Sequence, residues 1–331
     1  MLKRKSNEPA WVIGVDGGGT KTEAVLARAR ADDEPTGGQD DTQPEIVATS
    51  VTGPSNLQRL PMQSSLDAVA AACEGLLEQV PEARDRVQAS CLAMAGSGNP
   101  LLKAAFERWV EQQPWSGTAH VTHDARAVIA AGNQSDAGIA LIAGTGSFAF
   151  ALDRQGRSAQ CGGWGGLLGD EGSAHWIALE GFRRSLRSLD GRGEQTCLVE
   201  DLTRWCTDIG PPRWPHHLSL LQPKQIAAAA PVVTRAAQHG DAVASRIVQA
   251  AADELATLVV TLARQLFAGE SFELACAGGP LCNVPVLGER LLERLADDGF
   301  DRVQLQCVKH PAHGAARMAA DHDLTFRGSE G

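Results

Sequence analysis

The chain's architecture hinges on WVIGVDGGGTKTEAVLARA, residues 11–29. An apolar run leads into an aspartate, three glycines and two threonines flanking a lysine, and a second apolar run follows. A tight turn needs one glycine or two; three in a row mean that backbone closely approaches something there. The N–H groups of Gly17, Gly18 and Gly19 form a concave nest for anionic oxygen, and the Thr20 hydroxyl adds a donor. Asp16, at the end of the first strand, is placed to hold a hydrated Mg²⁺ beside such oxygens. The stretch is not a Walker A motif, which needs G-x-x-x-x-G-K-S/T, because Thr20 precedes Lys21. Taken alone, it is also compatible with a glycine-rich hairpin that binds nothing.

Outward from this hairpin, strands are expected near 11–15, 23–29, 45–51, 88–94 and 118–122, and helices near 64–79, 100–112 and 124–132. Then the pattern restarts. GIALIAGTGSFAFALD (138–153) is again strand, glycine-bracketed turn and strand. Apolar residues three and four apart over 241–266 predict an amphipathic helix. FELACAGGP (272–280) reads as a strand ending in glycines before a helix at 284–296; VQLQCVKH (303–310) reads as a strand and HGAARMAADH (313–322) as a closing helix. Strands alternating with helices, and two glycine-turn hairpins in successive units, predict an α/β protein with an internal duplication.

Composition sets the bounds. The 331 residues exceed what one core usually serves, so two domains are expected: 1–134 with 313–331, and 135–312. A formal net charge of −10 with no basic run argues against nucleic acid. Part of that acidity lies in ADDEPTGGQDDTQPE (31–45), read as a solvated surface loop. The start, MLKRKSNEPAW, lacks the apolar stretch of a signal peptide, and no apolar run is long enough to span a membrane. Eight cysteines without a C-x-x-C pair are expected to be reduced in a cytoplasmic protein. His120 and His123 form an H-x-x-H that is not expected to bind metal.

The second turn is Ala143-Gly144-Thr145-Gly146-Ser147. It loosely matches a dinucleotide fingerprint, but that motif requires a following helix, and SFAFALD alternates like a strand. A second phosphate-facing hairpin fits better, and the pair is a stronger signal than either one. In CAGGP (276–280), two glycines would let a flat nucleobase and ribose pack on bare backbone; a plain strand-to-helix turn is the competing reading.

DGGGTKT, the later GTGS hairpin and AGGP before a helix together resemble the phosphate-1, phosphate-2 and adenosine motifs of the sugar kinase/actin ATPase superfamily. CLAMAGSG (91–98) and HGAARMA (313–319) fall where its two connecting regions lie. CGGWGGLLGDEGSAHWIA (161–178) resembles the N-acetylglucosamine kinase branch of the BadF/BadG/BcrA/BcrD-type ATPases, with GPSN (53–56) and THDARAV (122–128) in that branch's order. The resemblance spans nearly the whole chain. It implies a two-domain actin-like ATPase fold, a duplicated ribonuclease H-like unit with an interdomain cleft. It implies phosphorylation of N-acetylglucosamine at the 6-hydroxyl, with ATP and Mg²⁺. It implies Asp124 as catalytic base; Asn56, Asp124, Gly163, Trp164 and Asp170 at the amino sugar; and Gly17, Gly18, Gly19, Thr20, Thr145, Gly146, Gly278 and Gly279 at ATP. A homodimer through the second domain is a further implication. Lys21 and segment 190–225 have no counterpart in the resemblance.

Alternatives stay open at this stage. Glucosamine or N-acetylmuramic acid could be the acceptor. The activator ATPases of CoA-ester dehydratases and reductases share the fold, but hold an iron–sulfur cluster between subunits through cysteines, and here Cys161 lacks a nearby second cysteine. A sugar-sensing regulator would carry a DNA-binding helix-turn-helix, for which the ten residues before the first strand leave no room.

Overall fold

β1 (Trp11–Gly17) and β2 (Thr22–Arg28) pair antiparallel around the glycine turn, with Asp16 opposite Glu23 and Gly17 opposite Thr22. The computed structural model describes residues 11–29, 44–267 and 270–321. The acidic loop expected over 31–45 lies, up to residue 43, outside the described residues, as do the N-terminal ten residues and the stretch beyond Asp321. β3 (Glu45–Thr52), α1 (Met62–Gln79), β4 (Val87–Met94), α2 (Pro100–Val110), β5 (Thr118–His123) and α3 (Asp124–Gly132) follow. The strands line up β3-β2-β1-β4-β5, with β2 antiparallel to its neighbours and β4 and β5 parallel to β1.

Strand alternation sorts the sheet's two faces. Ile13, Val15 and Leu92 join Leu76 of α1 and Phe106 of α2 in one core. Val12, Val25 and Ala93 join Ala127 and Ala130 of α3 in a second, alanine-rich one.

A second unit repeats the plan. It begins with β6 (Gly138–Ala143), β7 (Ser147–Leu152) and β8 (Ser158–Gly162). Helices α4 (Ala174–Leu189), α5 (Leu198–Trp205), α6 (Trp214–Ser219), α7 (Pro223–Ala227), α8 (Ala230–Gln238) and α9 (Ala242–Leu266) come next. β9 (Leu274–Ala277), α10 (Gly279–Asn283), α11 (Pro285–Asp297) and β10 (Leu305–Val308) complete it. Its sheet order is β10-β9-β6-β7-β8, so β6 to β10 occupy the places of β1 to β5. Where the first unit crosses over with α1, the second inserts α4 to α9. Segment 190–225 belongs to that insertion. Its Trp214 is fully buried, edge-on to Phe182 with ring centroids 4.9 Å apart.

The strand expected to reach residue 310 stops at Val308, and the closing helix, α12 (Pro311–Ala320), starts before residue 313. Pro311 explains both shifts: it cannot donate to a ladder, and its fixed φ suits the first turn of a helix. α12 packs on β1 and α3, so the first compact unit takes in residues up to Asp136 and again from His310, while the second is Ala137–Lys309. Among the described residues no helix is long and apolar enough to cross a membrane.

Candidate functional site

In the first unit, the GPSN segment is stitched onto the glycine hairpin. Gly18 N–H donates to the Lys21 carbonyl (3.0 Å), and the Gly18 carbonyl accepts from Ser55 N–H (3.0 Å). The buried Thr22 hydroxyl lies 2.7 Å from both the Gly53 carbonyl and the Ser55 hydroxyl. These bonds hold the base of the turn and leave Gly19 and Thr20 exposed at its tip. Asn56 is fixed as well: its Oδ1 accepts the Gln58 and Arg59 N–H groups, both at 3.0 Å. What Asn56 has left to offer a ligand is its amide N–H donors.

Three strand ends meet at one edge of this sheet, where Asp16 pairs with Ala93 and Ala93 with Thr122. Alternation puts Asp16 and Glu23 on the face covered by α3 and α12. Asp124 is the first residue of α3, and His123 rather than Asp124 is the N-cap, its Nδ1 accepting Ala125 N–H at 3.2 Å. Asp124 Oδ1 also accepts from Ala125 N–H (3.0 Å) and lies 2.8 Å from His123 Nδ1. Burial, and then the charges of Asp124 and Glu23, push the Asp16 carboxyl up to about 7. Three acids therefore share a small region.

Glu23 is 2% exposed and is bonded by the Lys21 ammonium and by His310 Nδ1 (2.7 Å). Burial opposes its charge, but the bonds from Lys21 and His310 outweigh that and hold the carboxyl below its usual range. Lys21, without a role in the sequence reading, is thus Glu23's partner. The reading missed Glu23 and His310. A charged residue leading a run of apolar strand positions directly opposite Asp16 is a signal for Glu23; His310 gives none, being distant in sequence. His120 of the H-x-x-H is driven down to about 4 by burial and by Arg126 and Lys103.

In the second unit, the predicted residues converge on the β6–β7 hairpin. Gly144 N–H donates to the Gly146 carbonyl (2.9 Å), and the Gly144 carbonyl accepts from Ala174 N–H (2.9 Å), tying the turn to the start of α4. Gly163 N–H donates to the Ser147 carbonyl (3.0 Å), and the Ser147 hydroxyl to the Glu171 carbonyl (2.6 Å). Asp170 is buried, with positive φ (60°); its Oδ1 accepts Gly165 N–H at 3.3 Å. Its Oδ2 lies 2.5 Å from where a Cβ on Gly146 would stand, so a side chain there would have to displace the Asp170 carboxylate. Asp170 is thus enclosed against the hairpin rather than facing solvent. The AGGP turn packs on the same hairpin. Gly278 has φ +103°, and a Cβ on it would come within 2.0 Å of the Ala143 carbonyl oxygen. Trp164 departs from this convergence. It is 78% exposed, as are its neighbours Leu167 (93%) and Leu168 (80%), two apolar side chains the sequence reading did not single out.

Among the described residues no three His, Cys, Asp or Glu side chains converge as a cage for a cation. Mg²⁺ is commonly held by one or two carboxylates plus substrate phosphates. Asp16 fits that mode, since its charge, resisted by Asp124 and Glu23, would be relieved by a divalent cation.

Two sheets of the same order, each presenting a glycine hairpin, define a two-domain actin-like ATPase fold of the sugar-kinase kind. The BadF/BadG/BcrA/BcrD ATPase family matches residues 13–319, and the chain belongs to that family. An N-acetylmuramic acid/N-acetylglucosamine kinase of Clostridium acetobutylicum is 28% identical over 323 residues, covering 93% of this chain and 98% of its own. An N-acetyl-D-glucosamine kinase of Dictyostelium discoideum is 26% identical over 330 residues, covering 93% and 97%. Among solved structures, a candidate N-acetylglucosamine kinase of Chromobacterium violaceum superposes with a TM-score of 0.70 at 25% identity, covering 93% of this chain and 98% of its own.

Proposed function

We propose that this chain is an ATP-dependent kinase that phosphorylates N-acetylglucosamine at its 6-hydroxyl. The observation that carries the reading is Asp124: a carboxylate at the end of β5, on the same sheet edge as Asp16, with one oxygen engaged by Ala125 N–H. Its second oxygen is the base for the sugar hydroxyl, a poor nucleophile that must lose its proton as the new O–P bond forms. Phosphoryl transfer otherwise asks the protein for positioning and charge neutralisation. The exposed tip Gly19–Thr20, shaped by Gly17 and by Gly18 whose N–H is spent on the Lys21 carbonyl, and the N–H groups of Thr145 and Gly146 are the proposed phosphate cradles. Gly278 and Gly279 offer bare backbone to adenosine. Asp16 would hold Mg²⁺, which supplies neutralisation of phosphate charge when bound. Asn56 donates to a sugar hydroxyl or amide, and Gly163, Trp164 and Asp170 complete the sugar's surroundings. The names of the Clostridium and Dictyostelium relatives support the amino-sugar class.

N-acetylmuramic acid is a second reading, favoured by the Clostridium relative's name and by the exposed apolar Trp164, Leu167 and Leu168 on the site segment. ADP release measured with N-acetylglucosamine, N-acetylmuramic acid, glucosamine and glucose, each with Mg²⁺ and ATP, tests both. Fastest sugar-dependent turnover is expected with N-acetylglucosamine. Turnover that no sugar stimulates would remove the kinase reading.

A further inference from the structure

Three cysteines of the second unit gather beside the Gly278–Gly279 turn, and nothing above uses them. Cys276 in β9 and Cys307 in β10 are register partners on adjacent parallel strands. Cys282, in the last turn of α10, donates its thiol to the Cys276 carbonyl at 3.7 Å. From the other side the Cys307 thiol donates to the Leu281 carbonyl, also at 3.7 Å. Leu281 adjoins Cys282 in the chain, so these two bonds bring the Cys282 and Cys307 side chains to neighbouring positions; burial and then the Cys307 thiol push Cys282 up to about 12. Cys276 is buried, Cys282 half-buried and Cys307 exposed. An oxidant arriving from solvent meets the exposed Cys307 first, with the half-buried Cys282 next to Leu281 beside it.

We propose that Cys307 and Cys282 form a reversible disulfide site for small hydroperoxides, and that its closure disturbs the turn at Gly278 and Gly279. The electrons balance. The Cys307 thiolate attacks the O–O bond, becoming a sulfenic acid while the departing oxygen takes up the thiol's proton and leaves as water from hydrogen peroxide, or as an alcohol from an organic hydroperoxide. The Cys282 sulfur then displaces the sulfenic hydroxyl, which leaves with the Cys282 proton as water. Two thiols lose two electrons in all, and the peroxide gains them.

Coupling to the turn follows from the chain. Cys282 N–H donates to the Gly278 carbonyl at 3.0 Å, and Gly278 packs so closely on Ala143 that not even a Cβ would fit between them. Bonding brings the sulfurs closer than any non-bonded contact allows, so α10 must shift and pull on Gly278. This second half rests on the nucleotide reading of the turn; the disulfide itself does not.

The test uses the full-length protein and hydrogen peroxide. Thiol titration and non-reducing peptide mapping should show the loss of two thiols, one linkage between Cys282 and Cys307, and full recovery with dithiothreitol. Cys282→Ser and Cys307→Ser should each lose the linkage and keep the untreated kinase rate. In the oxidised wild type the KM for ATP should rise by at least about tenfold, as displacement on the order of 1 Å at a binding element does, with kcat changed less. Oxidation at Cys197 or elsewhere without the linkage overturns the site. A linkage with unchanged ATP affinity, measured by calorimetry, overturns the coupling. Should no sugar be phosphorylated, the kinase reading fails alone, and mapping and calorimetry still decide both halves.

Discussion

Asp16 and Asp124 stand at one strand edge, yet their surroundings assign them different work. Asp124 sits at a helix start, where the unpaired N–H groups favour a carboxylate, and in the proposed reaction it keeps one oxygen for the acceptor hydroxyl. Replacing it with alanine should lower turnover by roughly 10²–10⁴-fold while leaving ATP and sugar binding close to wild type, as for loss of a general base; steady-state rates with binding by calorimetry check this. Asp16 carries a cost that the proposed metal-holding role would explain. Its carboxyl titrates near 7 in the folded chain, against an ordinary value of 3.8. Between those pH values the folded state holds a proton that the unfolded state has released, so stability falls as pH rises through this window and levels off above it. Asp16→Asn removes the effect. In metal-free buffer the variant should match wild type below about pH 4 and exceed it by roughly 1–2 kcal/mol at pH 8, the full shift being discounted for solvent screening. Denaturant melts at the two pH values would show it, and an unchanged difference would mean that Asp16 is not under charge stress.

Among elements, α9 carries the second unit, burying Ile247, Leu255, Val259 and Leu262 in its core. Its N-cap, Asp241, accepts from Ala244 N–H (2.8 Å), Cys197 N–H (2.9 Å) and the Thr196 hydroxyl (2.8 Å), anchoring the loop before α5 as well. Partial burial raises this carboxyl, but those hydrogen bonds win and hold it below 3.8. Its stabilisation is present above the unfolded value and is lost as pH falls through the folded one. Asp241→Ala should therefore cost about 1–2 kcal/mol at pH 6, a difference that shrinks below about pH 4; thermal melts across that range test the sign. The helix itself was legible from its three-and-four spacing, and the hairpins from their glycines. The insertion holding α5 to α7 was not, because its short helices are ordered by packing around Trp214 and Phe182 rather than by local periodicity. Likewise the burial of Asp170 against Gly146 was not legible, because it depends on how the segment after β8 folds back on the hairpin. His310 was illegible for a related reason, since its partner Glu23 is brought to it by topology alone.

For the whole molecule, the repeated strand order explains why one motif reading reached both ends of the chain. Each copy of the sheet places a glycine turn after its first strand and a strand-to-helix turn along the same edge. The copies are not closed alike. The first depends on α12, whose Ala312, Ala315, Ala316 and Met318 complete the alanine-rich core with Val12, Val25 and Ala127. Only small residues permit this approach: a Cβ on Gly14 would strike Ala316 N at 2.3 Å, and one on Gly314 the Ala127 carbonyl oxygen at 2.0 Å. The buried Arg317 fastens the helix further, donating to the Asn133 carbonyl (2.9 Å) and to Asp136 (2.8 Å). Deleting residues 311–331 should therefore abolish the cooperative melting of the first unit while the second, expressed as 137–309, keeps its own transition. Calorimetry of both fragments distinguishes this from a uniform loss.

That dependence sets a timetable for biosynthesis. The first unit's sheet emerges from the ribosome with one flank bare, and the cap for that flank is translated only after the whole second unit. At about 5–20 residues per second the wait is on the order of ten to forty seconds. Throughout it the nascent chain needs shielding by a chaperone, and a late stop codon would strand the oldest part of the protein rather than the youngest.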